Sequence, residues 1–194
     1  MVLVATENIV NKEGFKALTV RKIAMEIGYT VGSIYMVFEN MDDLIIQVKG
    51  RVLDDLAESM ESVELKGSAE QKLQTLATAY LQFAHVHYSR WRMIFDVYPA
   101  SPLPEWYQQR IQDVFLIVEQ LFRSLSPEQS AKQVQLAARS LWCGVHGVCE
   151  LSLNGSLGRA GADNAETTVG MLVDNFIRGW KQAEPVADTK KRKK

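Results

Sequence analysis

From Glu26 to Gln47 this chain holds no lysine or arginine, and its 194 residues include only two cysteines, three histidines and five prolines. Each scarcity excludes something. The longest apolar runs are broken by charge before they could cross a bilayer, and the N-terminus lacks the basic-then-apolar order of a signal peptide, so a cytoplasmic protein without membrane partners is expected. Cys143 and Cys149 lie six residues apart in a helical pattern, roughly 600° of rotation at about 100° per residue, and so point to different faces. They read as two small buried hydrophobes rather than as a disulfide. His85 and His87, two residues apart, project roughly 200° from one another and cannot chelate together. No Cys-x-x-Cys or His-x-x-x-His is present, so no metal is expected. Neither a Gly-x-Ser-x-Gly, nor a phosphate loop, nor a paired acid–base constellation accompanies the thiols and histidines, which argues against an enzyme and against a cofactor.

Strand signals are scarce as well. β-branched residues occur singly and two-residue alternation does not persist, whereas apolar spacings of three and four recur, so an all-α protein is predicted. Net charge is −1 over the whole chain, but the first fifty residues carry −1, the terminal KKRKK +5 and the remainder −5. General attraction to nucleic acid is therefore no argument, and any such claim has to rest on local geometry.

The spacing predicts a first helix with Leu3, Ala5, Ile9 and Val10 inward, ended by a left-handed cap at Gly14 with Phe15 closing onto the core. Thr19 then caps VRKIAMEI, Gly28 ends it, and Thr30 caps TVGSIYMVFE two residues later, so two short helices cross steeply. Asn40 or Asp42 opens a longer helix whose stripe is Leu44, Ile45, Val48, Val52, Leu56 and Met60. ELKGSAEQ separates this from a long helix around LQTLATAYLQFAHVHYS. The segment YPASPLPEW, three prolines in six residues, ends a helix, with Pro104 in the first turn of the next. WYQQRIQDVFLIVEQLFRSL is amphipathic. Ser126 and Pro127 mark a new start running to about Leu153. NGSLGRAGADNAE reads as a mobile loop, TTVGMLVDNFIRGWKQ as the last helix, and residues 184–194 as a disordered basic tail.

The arrangement G-F-x-x-L-T-V-R-K-I-A-x-x-I-G-Y-T-x-G-S-I-Y-x-x-F-x-x-x-D-D-L resembles the helix-turn-helix of TetR-like transcriptional regulators, with Gly14, Thr19, Ile23, Ala24, Gly28, Gly32, Tyr35, Phe38 and Leu44 at the family's spacing. The resemblance implies a three-helix DNA-binding domain over residues 1–46, with a larger helical ligand-sensing and dimerisation domain over 47–183. Each position also has a physical reason. Ala24 is small where two helices cross, Ile23, Ile27, Ile34 and Phe38 fill a small core, and Gly32 lets the backbone approach DNA closely. The hydroxyls of Thr19, Thr30, Ser33 and Tyr35 and the amides of two helix N-termini can serve phosphates without cations. Positive charge comes from Arg21, Lys22 and, farther along, Lys49. Where TetR-like sequences often carry basic or polar residues, this chain has Val31, Met36, Val37 and Met41, so Val31 and Met36 offer contact with thymine methyls and shape readout. Relatives usually carry a basic arm upstream; without it operator binding is expected to be weak and strongly salt-dependent, each lost phosphate contact reducing the salt slope by about 0.9. A packed helical corner with no DNA role is the competing reading.

Farther along, AYLQFAHVHYSRWRMIF and LWCGVHGVCEL resemble the C-terminal domain of a TetR subgroup marked by W-x-x-x-H-G, here Trp142, His146 and Gly147. The implied effector site has Tyr80, Phe83, His87, Trp91, Phe95, Phe115, Trp142 and His146 lining a mainly apolar room. Plain core packing is the alternative for these aromatics, and a satisfied core or interface position for His146. Gly144 and Gly147 weaken a helix by about 1 kcal/mol each relative to alanine, which a closely approaching helix would offset. With the apolar last helix they suggest a homodimer joined by a four-helix bundle. The expectation is a repressor binding a pseudo-palindromic operator and released by a small, mainly apolar effector. Two alternatives stand beside it: a DNA-binding protein regulated by a partner without a small ligand, and a ligand-binding protein whose DNA head is weakened.

Overall fold

The computed structural model describes residues 1–96 and 102–183. Among them the chain forms α1 (Val2–Glu13), α2 (Val20–Ile27), α3 (Val31–Tyr35), α4 (Met41–Glu61), α5 (Ala69–Val86), α6 (Tyr88–Asp96), α7 (Glu105–Leu125), α8 (Ala131–Leu153) and α9 (Ala165–Gln182), with short 3-10 turns at Phe15–Ala17 and Gly158–Ala160. No strand occurs among the described residues, and the chain is all-α. The residues Val97–Ser101, which include the YPAS of the proline-rich segment, and the tail 184–194 lie outside the described residues.

The helices group into two compact units. Among the described residues the first comprises Met1–Glu61 and those within Gln82–Val114, the second Ser62–Leu81 and those from Phe115 to Ala183. In the first unit Ala5, Ile9 and Val10 of α1 meet Ile23 and Ala24 of α2, Ile34 of α3, Phe38 between α3 and α4, Leu44 and Val48 of α4, and Met93 of α6. A second cluster joins Ile46 and Leu53 of α4 to Tyr107 of α7. Gly50 makes room for α7, since a Cβ there would come within 2.8 Å of the Trp106 ring.

Local chemistry sets the small helices. The Thr19 hydroxyl accepts from Lys22 N at 3.2 Å, and the Thr30 hydroxyl accepts from Ser33 N at 3.1 Å, each satisfying an orphan amide in the first turn. Gly28 ends α2 in the left-handed region at φ 70°, with Tyr29 N returning to Ala24 O at 2.9 Å. Gly14 differs from expectation: φ is 79° but ψ is 166°, a region open to glycine alone and not the left-handed helical one. The chain leaves α1 extended so that the 3-10 turn can begin at once.

The second unit rests on α8 against α9, with Val134, Ala138, Leu141, Val145 and Cys149 of α8 and Val169, Val173 and Ile177 of α9 buried. Leu172 of α9 sits over Gly144, where a Cβ would meet its Cδ2 at 2.8 Å, so the Gly144 deficit is offset within the chain. Phe122 of α7 packs its ring edge-on against Phe176 and Trp180, and Trp180 Nε1 donates to Phe122 O at 3.2 Å.

Four expectations are corrected here. The long helix predicted around LQTLATAYLQFAHVHYS divides into α5 and α6 at His87, although His87 N to Phe83 O (2.9 Å) and Trp91 N to His87 O (2.8 Å) carry the ladder across. The helix assigned from Pro127 begins at Ala131. SPEQSAKQ holds two successive Ser-x-x-Gln boxes, and the second closes, with Ser130 and Gln133 each capping the other's amide. The first is diverted by tertiary contacts: Ser126 and Gln129 are buried, and Gln129 Nε2 donates to Ala183 O at 2.8 Å. The loop expected to be mobile is pinned by the buried side chain of Leu157, with the Ser156 and Leu157 amides on Leu151 O at 2.8 and 2.9 Å. Cys143 is exposed, not buried as expected; Cys149 is buried, and burial pushes its thiol up to about 12.

Candidate functional site

The first unit presents α2 and α3 with their apolar sides inward, which leaves the predicted DNA-contacting positions outside. Thr19, Arg21, Thr30, Gly32, Tyr35 and Met36 are exposed, while Lys22, Val31 and Ser33 are half-buried. Tyr35 is not folded into the core. Thr30 Oγ1 also lies 2.9 Å from Ser33 Oγ, so these two hydroxyls satisfy one another as well as the helix cap. At Gly32 an added Cβ would meet, among the described residues, only Thr30 Oγ1, at an ordinary 3.7 Å. The protein's own packing therefore does not require glycine at this exposed site.

The predicted positive flank is smaller than expected. Lys22 is ion-paired with Glu13 of α1. Lys49 is corrected outright: it is 2% exposed, and its Nζ donates to Ile94 O at 3.1 Å. A long amphipathic side chain has been used to tie α4 to α6, a choice made by helix packing that helical periodicity did not reveal. Arg21 remains exposed.

Two features of this unit escaped the sequence reading. Glu7 of α1 is buried and accepts from Arg51 Nε at 2.6 Å, while its other oxygen lies 3.5 Å from Arg90 Nη2. Arg90 of α6 is also paired with Asp55 of α4. Four charges separated by up to 83 positions thus bind α1, α4 and α6 together. The only sequence signal was Glu7 on the apolar side of α1. The second feature is a cleft of about 480 Å³ beside α3, lined by Leu3, Val4, Tyr29, Ser33, Val37 and Gln47 among others.

The eight predicted effector residues fall four to each unit. In the second unit they form a continuous row: Phe115 and Trp142 meet edge-to-face at 5.7 Å, Trp142 lies 5.2 Å from the His146 ring, and Tyr80 Oη is 2.9 Å from His146 Nδ1. Arg139, which the aromatic pattern alone does not single out, places its guanidinium 4.3 Å over the Phe115 ring and pairs with Glu119. Arg139, Trp142 and His146 share one side of α8 at spacings of three and four, the signal that could have included it. In the first unit Phe83 contacts His87 at 4.8 Å and Trp91 contacts Phe95 at 5.3 Å.

Burial lowers the His146 pKa, partly opposed by the nearby Glu150 carboxylate. The unfolded chain then takes up this proton near the ordinary value of about 6.5, before the folded chain does, so stability falls as pH drops below that point. We predict that urea midpoints decline more steeply on acidification in the parent than in His146→Gln. Equal pH dependence in the two would remove His146 from this role.

Among the described residues no group of three or more His, Cys, Asp or Glu could hold a metal, and no helix is long and apolar enough to cross a membrane.

Comparison with known proteins agrees with this architecture. Residues 2–48 match the family of bacterial regulatory proteins described as tetR, and residues 73–176 match the tetracyclin repressor-like C-terminal domain. An uncharacterized HTH-type transcriptional regulator of Mycobacterium tuberculosis is 25% identical over 145 residues, 75% of this chain and 65% of that protein, so the match spans just under two thirds of the relative. A protein of unknown function from Rhodococcus sp. RHA1 superimposes with a TM-score of 0.77 at 19% identity, covering 93% of this chain and 94% of that one. A TetR variant from Acinetobacter baumannii, in complex with minocycline, gives 0.66 at 17% identity and the same coverage. The helix-turn-helix at the N-terminus and the helical domain that follows are each matched by the corresponding family model, and the chain belongs to the TetR family of transcriptional regulators, which are not enzymes.

Proposed function

We propose that the protein is a cytoplasmic, ligand-responsive repressor that binds a pseudo-palindromic operator as a homodimer and is released by a small, mainly apolar effector. The observation that carries the DNA half is the outward surface of α2 and α3: both N-termini are capped, Thr19, Thr30, Gly32 and Tyr35 are exposed, and Ile23, Ala24 and Ile34 are spent inside. Hydroxyls, amides and Arg21 would hold the phosphates. Residues 1–46 act as the DNA-binding domain, 47–183 sense ligand and dimerise, and 184–194 form a basic tail.

The dimer reading is supported by what α8 and α9 leave uncovered. Leu136 and Leu151 of α8 and Met171 of α9 are exposed. At Gly147 and Gly179 an added Cβ would meet nothing within 4 Å among the described residues, so the helix weakening at these glycines has no offset there within one copy. Two such helix pairs from two subunits would bury these positions in a four-helix bundle and set the reading helices about one DNA turn apart, roughly 34 to 36 Å.

The effector half rests on the row Phe115, Trp142, His146 and Tyr80, which offers aromatic surface with a hydroxyl and a ring nitrogen at one end. That a TetR relative is complexed with minocycline supports a small-molecule ligand. An effector favouring a dimer with the wrong head spacing lowers operator affinity, and operator binding weakens the effector equally.

Selecting duplexes from a random pool with the full chain tests this reading. The expected product is a two-fold site with half-sites about one turn apart, bound by two chains. Screening compounds for release of that duplex then identifies an effector, whose action Trp142→Ala should blunt about tenfold or more while leaving effector-free affinity within a factor of about two. Equal loss of both would remove Trp142 from the effector site. Failure to enrich any duplex at low salt would select instead a ligand-binding or partner-regulated protein with a weakened head, an alternative motivated by the pairing of Lys22 and the burial of Lys49.

A further inference from the structure

We infer that the reading head recognises its half-sites through the C5-methyl groups of thymine, with Met36 as the principal contact, so that the operator core is rich in T·A pairs. This rests on the DNA-binding reading above and specifies its target.

The inference follows from which base-reading groups remain available. Guanine is normally read by arginine or lysine and adenine by asparagine or glutamine, each through a bidentate pair. From Glu26 to Gln47 arginine and lysine are absent. Asn40 Oδ1 accepts from Asp43 N at 2.9 Å as the cap of α4, and Gln47 Nε2 donates to Asp43 Oδ1 at 3.0 Å, so each amide is held in place by the fold through one of the two atoms a bidentate contact would use. The hydroxyls of Thr30 and Ser33 are turned to one another. With the exposed Tyr35 hydroxyl assigned to phosphate, what else α3 and its C-terminal cap offer outward is chiefly apolar.

That apolar surface is unusually bare. Met36, the residue closing α3, is 87% exposed, and Val37 beside it is 71% exposed. Val37 and Tyr29 line the cleft shared with α1, whereas Met36 does not. Val31, in the first turn of α3, is half-buried against the head core and leaves part of its surface free. Next to it Gly32 is exposed and carries no side chain, so its own backbone is uncovered on that side. Of all groups on the base edges in the major groove, the thymine methyl is the apolar one. A flexible thioether fits it without a demanding geometry.

Deoxyuridine tests the idea, because it removes the methyl and keeps every hydrogen-bonding group. The duplex selected from the random pool is compared with copies in which half-site thymines are replaced one at a time. Each contacted methyl is expected to contribute about fourfold in affinity, so symmetric replacement in both half-sites gives roughly sixteenfold. In Met36→Ala the thymine duplex should weaken by a similar factor, while the deoxyuridine duplex binds parent and variant alike. Met36 is exposed, so the variant keeps its fold. Selected half-sites made of G·C pairs, indifference to deoxyuridine, or a methyl dependence that persists in Met36→Ala would each overturn the inference while leaving the DNA-binding reading intact. If no duplex is selected, that reading falls and takes this one with it.

Discussion

Glu7→Ala is expected to destabilise the protein by about 3 kcal/mol, the lower end for breaking a buried ion pair from one side. Glu7 is buried in α1 with one oxygen 2.6 Å from Arg51 Nε and the other 3.5 Å from Arg90 Nη2. Arg51 is half open to solvent and would turn to water. Arg90 cannot: its side chain is largely covered, and its Nε is buried without a hydrogen-bond partner even with Glu7 present. The partly exposed carboxylate of Asp55 keeps one contact, which is why the loss stays near the lower figure. For a chain of this length the melting temperature should fall by roughly 6 to 12 °C. Glu7→Gln should lie between parent and alanine variant. Pairing Glu7→Leu with Arg90→Met should recover much of the loss, since the two charges it leaves, Arg51 and Asp55, are both partly open to solvent. A Glu7→Ala loss under about 1 kcal/mol would place the cluster with solvent-screened surface pairs instead.

Gly32→Ala should do the reverse, sparing the fold and harming DNA binding. Among the described residues the new Cβ meets only Thr30 Oγ1 at 3.7 Å, and α3 gains from replacing glycine inside a helix, so stability should stay level or rise by up to about 1 kcal/mol. At a surface where backbone and base edges come into contact, one extra carbon has to be accommodated by both partners. Overpacking of this kind costs about 2 kcal/mol, roughly a thirtyfold loss of affinity for the selected duplex. Titrating that duplex with parent and variant, alongside urea unfolding, separates the two effects. Unchanged affinity with unchanged stability would remove Gly32 from the interface.

These two variants also mark where sequence reading succeeds and where it stops. Thr19, Gly28 and Thr30 could be assigned as caps and turn because their hydrogen bonds close within three to five residues, and so depend on residue type and spacing alone. Leu44, Val48, Val52, Leu56 and Met60 could be placed inside because helical period is a local property. The exposed positions Thr30, Gly32 and Tyr35 followed, as the outward remainder of a pattern whose inward members were known.

Lys49 and Glu7 went the other way for one reason. Whether a long charged side chain reaches solvent, phosphate or a carbonyl 45 residues away depends on which helix lies across it, and no local pattern records that. The choice between Ser126 and Ser130 was equally invisible: both open a Ser-x-x-Gln box, and the outcome is decided by Gln129 finding the carbonyl of Ala183. Leu157 anchors a loop whose composition reads as mobile because one apolar side chain finds a buried site.

By itself the sequence determined that the chain is helical, where its first helices start, and which inward residues of the head leave the others facing out; the helix opened by Thr30 ends at Tyr35, short of the TVGSIYMVFE that the spacing predicted. Those properties arise from hydrogen bonds and side-chain spacing within a turn or two of helix. Only the tertiary structure decided which charges are free to meet DNA, which are spent tying α1, α4 and α6 together, and which aromatics of the second unit form one row. Those outcomes depend on contacts between residues far apart in the chain, made when helices pack and burial forces each polar group to find a partner.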